Sequence, residues 1–382
     1  MLVCCPSKCN VNKTGRTGTL KNKVHLAAVA SSFNTRNPNF LHLKGNIKMK
    51  ISTLIKGLQI GAVASMLALP ASAADMRLKF AGVSPADHEG TKMMEQIKAD
   101  IEAADVGLKV SVFPANQLGS GEALFEDVAR GNIDFASAFI YSDVDQRLEY
   151  LSMPFLVNNW DEMDSIIRNV DSEYNVILQE ILSEHGVRLL GQNPEGLVGI
   201  VATEEPANWN NFGDKEMNIR VWSSNVVKSM VESLGYKATT MSWGDIFPAI
   251  QSGIVDGAIC CTKQATYTIF AQSDVGTHFV QYNSIPENTT YYASEKTWGE
   301  MSDEQRAVVQ AAFTKASDDF FAYNRENDTV FEQKLVEKGY TILKLSPEEQ
   351  TAMAQKVRTE IWPLLEDAVG KDLIDRLLAS LN

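Results

Sequence analysis

From Ser302 to Lys338 the chain carries neither glycine nor proline. Ser302-Asp303-Glu304-Gln305 opens this stretch as a capping box: the serine side chain satisfies a free backbone N–H, and Gln305 reaches back to the cap. Gly339 closes it. A helix over these residues would span roughly 55 Å at 1.5 Å per residue, far beyond the mean helix. A rod of that length cannot be covered by one small layered domain. It either kinks or lies across two lobes.

The sequence before it supports two lobes, because strand-like and helix-like segments alternate as they do in α/β proteins with crossover connections. Met76–Ala81 alternates as a first strand, and an amphipathic helix over 87–104 places Met93, Met94, Ile97 and Ile101 on one face. A strand over 109–113, a helix over 119–130 and a strand over 133–138 follow. Helices are expected near 161–168 and 173–185, then a strand over 187–190. The pattern repeats in kind with strands at 199–202, 218–221 and 255–259 and helices at 224–234 and 246–251. Beyond the long helix, Ser346-Pro347-Glu348-Glu349 starts another, with Ser at the cap and Pro at the first helical position.

Charge divides the chain into two unlike parts. Ten of the 35 basic residues and none of the 48 acidic ones lie in residues 1–73, which leaves 25 basic against 48 acidic, a net charge of −23, for the other 309 residues. Nothing in that acidic part offsets repulsion from phosphate, which excludes a general nucleic-acid binder. Its apolar content is high enough to bury a core, which excludes a disordered tail. The basic part ends in a secretory signal. Lys50 and Lys56 form the positive region, the 13 residues Gly57–Leu69 the apolar run, and Ala71-Ser72-Ala73 the cleavage site. The run is shorter than the ~20 residues that span a bilayer. Met49 is read as the true start, with 1–48 an over-extended N-terminus, 49–73 the signal peptide and the mature chain periplasmic, not membrane-inserted.

Three of the five cysteines (Cys4, Cys5, Cys9) fall in the leader, and the mature chain keeps adjacent Cys260 and Cys261. They form either a vicinal disulfide in an oxidising compartment or two small half-buried thiols. No CxxC or Cys/His set suggests a metal, and no cofactor is called for.

Five segments, in order, resemble the solute-binding subunit of TRAP (tripartite ATP-independent periplasmic) transporters, the DctP-like family. They are the first strand and loop, Leu78–His88; Phe113-Pro114-Ala115-Asn116-Gln117-Leu118-Gly119, similar to "YP-x-x-QLG"; Gly131–Ala136 with Met153-Pro154-Phe155-Leu156, similar to "LPFLF"; Asn218-Ile219-Arg220-Val221, similar to "KIRV"; and Met241–Gly257, similar to "MPFSEVYTALQQGVVDG". The resemblance covers about 75–380. It implies a type II periplasmic-binding-protein fold, two α/β lobes with a ligand cleft between them and the long helix spanning both. Lobe I is expected at 74–195 plus 285–324, lobe II at 196–284 plus 325–382.

The resemblance also implies that Arg220 binds a ligand carboxylate. A guanidinium offers a planar fork that matches a carboxylate and stays charged when desolvated; the bland alternative is a strand-end Arg paired with Asp214 or Glu216. Two departures stand out. Val198 occupies the place of a second Arg in the family's "x-G-F-R" segment, and Cys260 the place of the Asn in "DGQENP". They imply a monocarboxylate with an apolar part, or a ligand held differently. His88 either approaches the ligand or starts a helix. Tyr141 either donates its hydroxyl or packs in the core, and Trp222 and Trp243 either wall the pocket or do the same. Gln264 and Tyr267 are read as facing the cleft, and Asn116 and Gln117 as caps of the second helix.

An enzyme is disfavoured, since the mature histidines His88, His185 and His278 are scattered and no G-x-S-x-G, HExxH, P-loop or G-x-G-x-x-G element occurs. The remaining rival is a binding protein serving an ABC permease or a chemosensory receptor. The expected partners are a small organic acid and the TRAP membrane permease, and the expected state is a monomer.

Overall fold

The structure, a computed structural model, describes residues 76–381. The expected signal peptide (49–73), the segment read as over-extended (1–48) and Cys4, Cys5 and Cys9 lie outside the described residues.

Eleven strands are present among them: β1 (Met76–Gly82), β2 (Leu108–Phe113), β3 (Phe135–Ala138), β4 (Val187–Leu197), β5 (Gly199–Ala202), β6 (Asn218–Val221), β7 (Lys237–Thr240), β8 (Gly257–Cys261), β9 (His278–Gln281), β10 (Pro286–Ser294) and β11 (Thr341–Lys344). They form two sheets, ordered β2-β1-β3-β10-β4 and β11-β9-β5-β8-β6-β7. In the first, β1 runs parallel to β2 and β3, while β10 runs antiparallel to β3 and β4. In the second, β6 runs parallel to β7 and β8, while β5 is antiparallel to β8 and β9. The parallel strands are joined through helices Glu89–Ala103, Gly121–Ala129 and Asn225–Ser233, as crossover connections require. The fold is the two-lobed α/β class expected.

The long helix is continuous over Asp303–Glu337, 35 residues, and both halves of its capping box form. It does lie across both sheets. Its N-terminal half presents Val309, Phe313 and Ala316 to a core with Leu78, Phe80, Phe135 and Tyr291 of the first sheet. Phe313 meets Phe80, Phe135 and Tyr291 at ring separations of 5.3, 5.2 and 5.1 Å. Each such ring contributes about 1.5–3 kcal/mol through burial. Its C-terminal half packs Leu335 with Val201, Phe270 and Phe279 of the second lobe. There the buried Lys263 ammonium also reaches back to Asp328 (2.7 Å) and Glu332 (3.3 Å) on the helix.

The structure differs from the sequence expectation mainly where strands are irregular or polar. The strand expected at 187–190 continues to Leu197 through Gly191, Pro194 and Gly196, which read as breakers. Its pairing with β10 absorbs them by register shifts. β7, β9, β10 and β11 were not anticipated. β7 (Lys-Ala-Thr-Thr) has no buried apolar alternation to betray it. The helix near 161–168 is a short α-turn, Trp160–Glu162, followed by a π-helical segment, Met163–Arg168.

Candidate functional site

A cavity of about 830 Å³ is lined from both lobes. Its walls are the loops that leave the C-terminal ends of β1, β2, β3, β6 and β7, where open α/β sheets place their ligands, and the strands β4 and β10 that cross between the lobes. At the crossing, the Val198 N–H donates to the Ile285 carbonyl (2.8 Å) and the Ser284 N–H to the Val198 carbonyl (3.2 Å).

Arg220 sits in the middle of a regular register. It is opposite Thr239 on β7 and Ala258 on β8, and is only 4% exposed. Its Nε donates to the Met241 carbonyl (3.0 Å), its one hydrogen bond among the described residues. The terminal amines are left facing the cavity, and neither Asp214 nor Glu216 takes them up. Burial pulls the guanidinium down to about 10, opposed by Tyr141 and Glu122, so it remains cationic at neutral pH. Tyr141, whose hydroxyl is pushed up chiefly by burial, lines the opposite wall.

Trp222 follows β6 and donates from Nε1 to Ser152 Oγ at 3.4 Å. Trp243 starts a 3-10 turn and meets Phe270 edge-on at 6.3 Å while staying 38% exposed. Both line the cavity, as do Val198 and Cys260. Cys260 and Cys261 form a vicinal disulfide. Gly199 pairs with Cys261 and Ile200 with Ile259, so Cys260 is the extra residue of a bulge. His88 starts a helix, one of the parts that the sequence left open. Its Nδ1 accepts from the Gly90 N–H (3.1 Å) and caps the helix Glu89–Ala103, and its ring lines the cavity.

Three expectations place residues differently. Gln264 is buried but does not line the cavity. The segment after β8 turns helical behind the cap Thr262, and Ala265 and Ile269, four apart, take the cavity face. Gln264 stands about 100° round from Ala265 at 3.6 residues per turn. Tyr267 instead packs on Phe331 of the long helix at 5.9 Å. Ser120, not Asn116 or Gln117, caps the helix Gly121–Ala129, and Asn116 lines the cavity.

Sequence reasoning missed the acidic floor. Glu195 and Glu287 both line the cavity and are buried. Pro194 pairs with Asn288 and Gly196 with Glu287, which leaves Glu195 as the unpaired residue of a bulge. Gly196 permits it, with a φ of +137° that disfavours any side chain. The Glu195 carboxylate lies 3.6 Å from His88 Nε2, and Glu287 accepts the Thr262 N–H at 2.7 Å. Burial pushes Glu195 up to about 8. It pushes Glu287 well above the carboxylate range too, with Glu195 adding repulsion. Burial also lowers His88, so its ring is neutral. The available signal was a pair of glutamates inside strand-like stretches, Pro194-Glu195-Gly196 and Pro286-Glu287.

Two α/β lobes joined by crossing strands, with a ligand-sized cavity at their strand ends, define a solute-binding protein of the type II kind. Residues 80–364 match the DctP family, described as "Bacterial extracellular solute-binding protein, family 7". The C4-dicarboxylate-binding periplasmic protein DctP of Shewanella loihica is 22% identical over 351 residues, covering 87% of this chain and 99% of its own. The ectoine-binding periplasmic protein TeaA of Halomonas elongata is 22% identical over 285 residues, 72% of this chain and 81% of its own. A crystal structure of a TRAP periplasmic solute-binding protein from Shewanella oneidensis with bound succinate superposes with a TM-score of 0.70 at 23% identity, covering 81% of this chain and 100% of that one. The chain belongs to the DctP family, the periplasmic solute-binding proteins of TRAP transporters, which bind small organic acids and work with a membrane permease. It is a binding protein rather than an enzyme. Among the described residues no helix is long and apolar enough to cross a membrane, and no group of three or more His, Cys, Asp and Glu could hold a metal.

Proposed function

We propose that this chain captures a small organic acid in the cavity described above, anchors its carboxylate on Arg220 and delivers it to a TRAP permease after the lobes close. The observation that carries the reading is the buried guanidinium, fixed by Met241 through Nε alone and otherwise turned to the cavity. Excluding water as the cleft closes strengthens a charged hydrogen bond, typically worth about 1.5–3 kcal/mol. Trp222, Trp243, Tyr141, His88 and Cys260 complete the ligand surface in this reading. Closure moves lobe I (74–195 plus 285–324) against lobe II (196–284 plus 325–382) about the crossing at Val198 and Ile285. The working unit is a monomer, released to the periplasm by cleavage after Ala73.

The succinate-bound relative supports an acid as the ligand class. A thermal-shift screen of organic acids on residues 74–382 tests it. A ligand at 100 times its Kd adds about 2.7 kcal/mol, which raises the Tm by several degrees. If no carboxylate moves the Tm, the reading fails.

A further inference from the structure

The charges around the cavity do not suit an ordinary dicarboxylate. Its lining contains four carboxylates (Glu122, Asp143, Glu195, Glu287) against a single guanidinium, Arg220, and no lysine. The lysine nearest in sequence, Lys263, is tied to Asp328 and Glu332 of the long helix. Val198, which also lines the cavity, cannot neutralise a second acid group.

Glu195 and Glu287 are the informative pair. They are 5% and 9% exposed, they come from the two strands that cross between the lobes, and a bulge is spent on turning Glu195 inward. Among the described residues Thr262 supplies the hydrogen bonding to Glu287, its N–H at 2.7 Å. His88 Nε2 faces Glu195 at 3.6 Å, beyond a hydrogen bond, and His88 is neutral. Buried carboxylates without donors are costly. Further donors for these oxygens come from what enters the cavity, solvent or solute. A second carboxylate there gains no charge partner, and any member of the pair that ionises would repel it. A hydroxyl supplies a donor but no charge to reverse the mutual repulsion of the pair. A nitrogen cation supplies both.

We infer that the solute is a zwitterion, with one carboxylate held by Arg220 and one N–H-bearing cationic nitrogen, an ammonium or amidinium, held by Glu195 and Glu287. The inference rests on the reading of Arg220 as the carboxylate anchor. Because Glu195, pushed up to about 8, holds a proton in the empty cavity at neutral pH, a bound cation drives it off. Binding therefore releases about one proton, as linkage between ligand charge and carboxylate ionisation requires.

The experiment is calorimetric titration of residues 74–382 at pH 7 with two series. One is the ω-amino acids from glycine to 6-aminohexanoate together with 4-guanidinobutyrate; the other is the dicarboxylates from malonate to adipate. Each is run in phosphate and in Tris to count protons. The expected result is that a member of the first series binds at least 100-fold tighter than every dicarboxylate and releases a proton. The E195Q/E287Q double variant should lose at least 100-fold for that ligand. Its unliganded melting curve reports whether it folds, and the wild-type comparison stands without it. If a dicarboxylate binds best and the double variant binds it as well as wild type, the zwitterion is overturned while the Arg220 reading survives. If neither series binds, the zwitterion is overturned, and the Arg220 reading falls with it only if no acid of the thermal screen moves the Tm.

Discussion

The wall built at the ends of β6 and β7 carries Arg220, Trp222, Met241 and Trp243. The wall and floor built by the β1 loop and the crossing strands carry His88, Glu195 and Glu287. On the first wall the functional side chain sits in plain parallel register between two partners, so its direction follows from strand alternation alone. On the second, a bulge and a left-handed glycine aim the side chain. One wall supplies a permanent cation; the other supplies groups whose charge depends on what is bound. In the proposed reading the guanidinium sets affinity for an acid in general and the acidic floor sets which acid.

The sharpest way to break this division is Arg220→Ala. Loss of a buried charged hydrogen-bonding group worth about 1.5–3 kcal/mol weakens binding by about 10- to 150-fold. The fold should survive, because among the described residues the guanidinium makes one protein hydrogen bond. Calorimetry with whichever acid the thermal screen identifies measures it. An affinity within threefold of wild type would place the carboxylate anchor elsewhere.

The floor makes the next largest difference, and it shows without ligand. Glu195 has a folded pKa near 8, above the ordinary 4.5, and Glu287 shifts the same way. The folded state therefore binds more protons than the unfolded chain between those values, and stability falls as pH rises through them. His88 acts oppositely: its lowered pKa costs stability as pH drops below 6.5, leaving little effect above. Lys215, lowered to about 8, works mainly above that pH. The clean window is therefore pH 6.5–8. The Tm of the empty protein should fall by several degrees across it, and Glu195→Gln should flatten the fall. A wild-type Tm that rises over this range would contradict the assignment.

The two walls also differ in how much of them could be read from sequence. Strands Asn218–Val221 and Gly199–Ala202 match the expected limits, and Arg220 stood out because Asn218-Ile219-Arg220-Val221 resembles the family's "KIRV". The long helix was equally plain, since a capping box and an unbroken run leave few alternatives. The floor was not legible. Glu195 and Glu287 are far apart in sequence, and they meet only because β10 returns antiparallel beside β4. Pro194 and Gly196 lie beyond the expected strand 187–190, at the point where β4 bulges and continues. Long-range pairing and a one-residue register shift leave no local periodicity, so only the assembled sheet brings the two carboxylates together.

The smallest expected effect concerns the residue between the walls. Val198 lines the cavity at the crossing, and its backbone N–H and carbonyl hold Ile285 and Ser284. Alanine keeps both backbone bonds and removes only apolar atoms, so Val198→Ala should change ligand affinity less than twofold in calorimetry. It should still cost stability, on the order of 1 kcal/mol, because the side chain is 2% exposed. Val198→Arg is the informative reverse. A second guanidinium beside Glu195 and Glu287 would occupy the acid pair from within, turning the floor from a cation site into an internally neutralised one. Dicarboxylate binding should then improve relative to ω-amino acids, and an unchanged preference would mean that the floor does not choose the ligand.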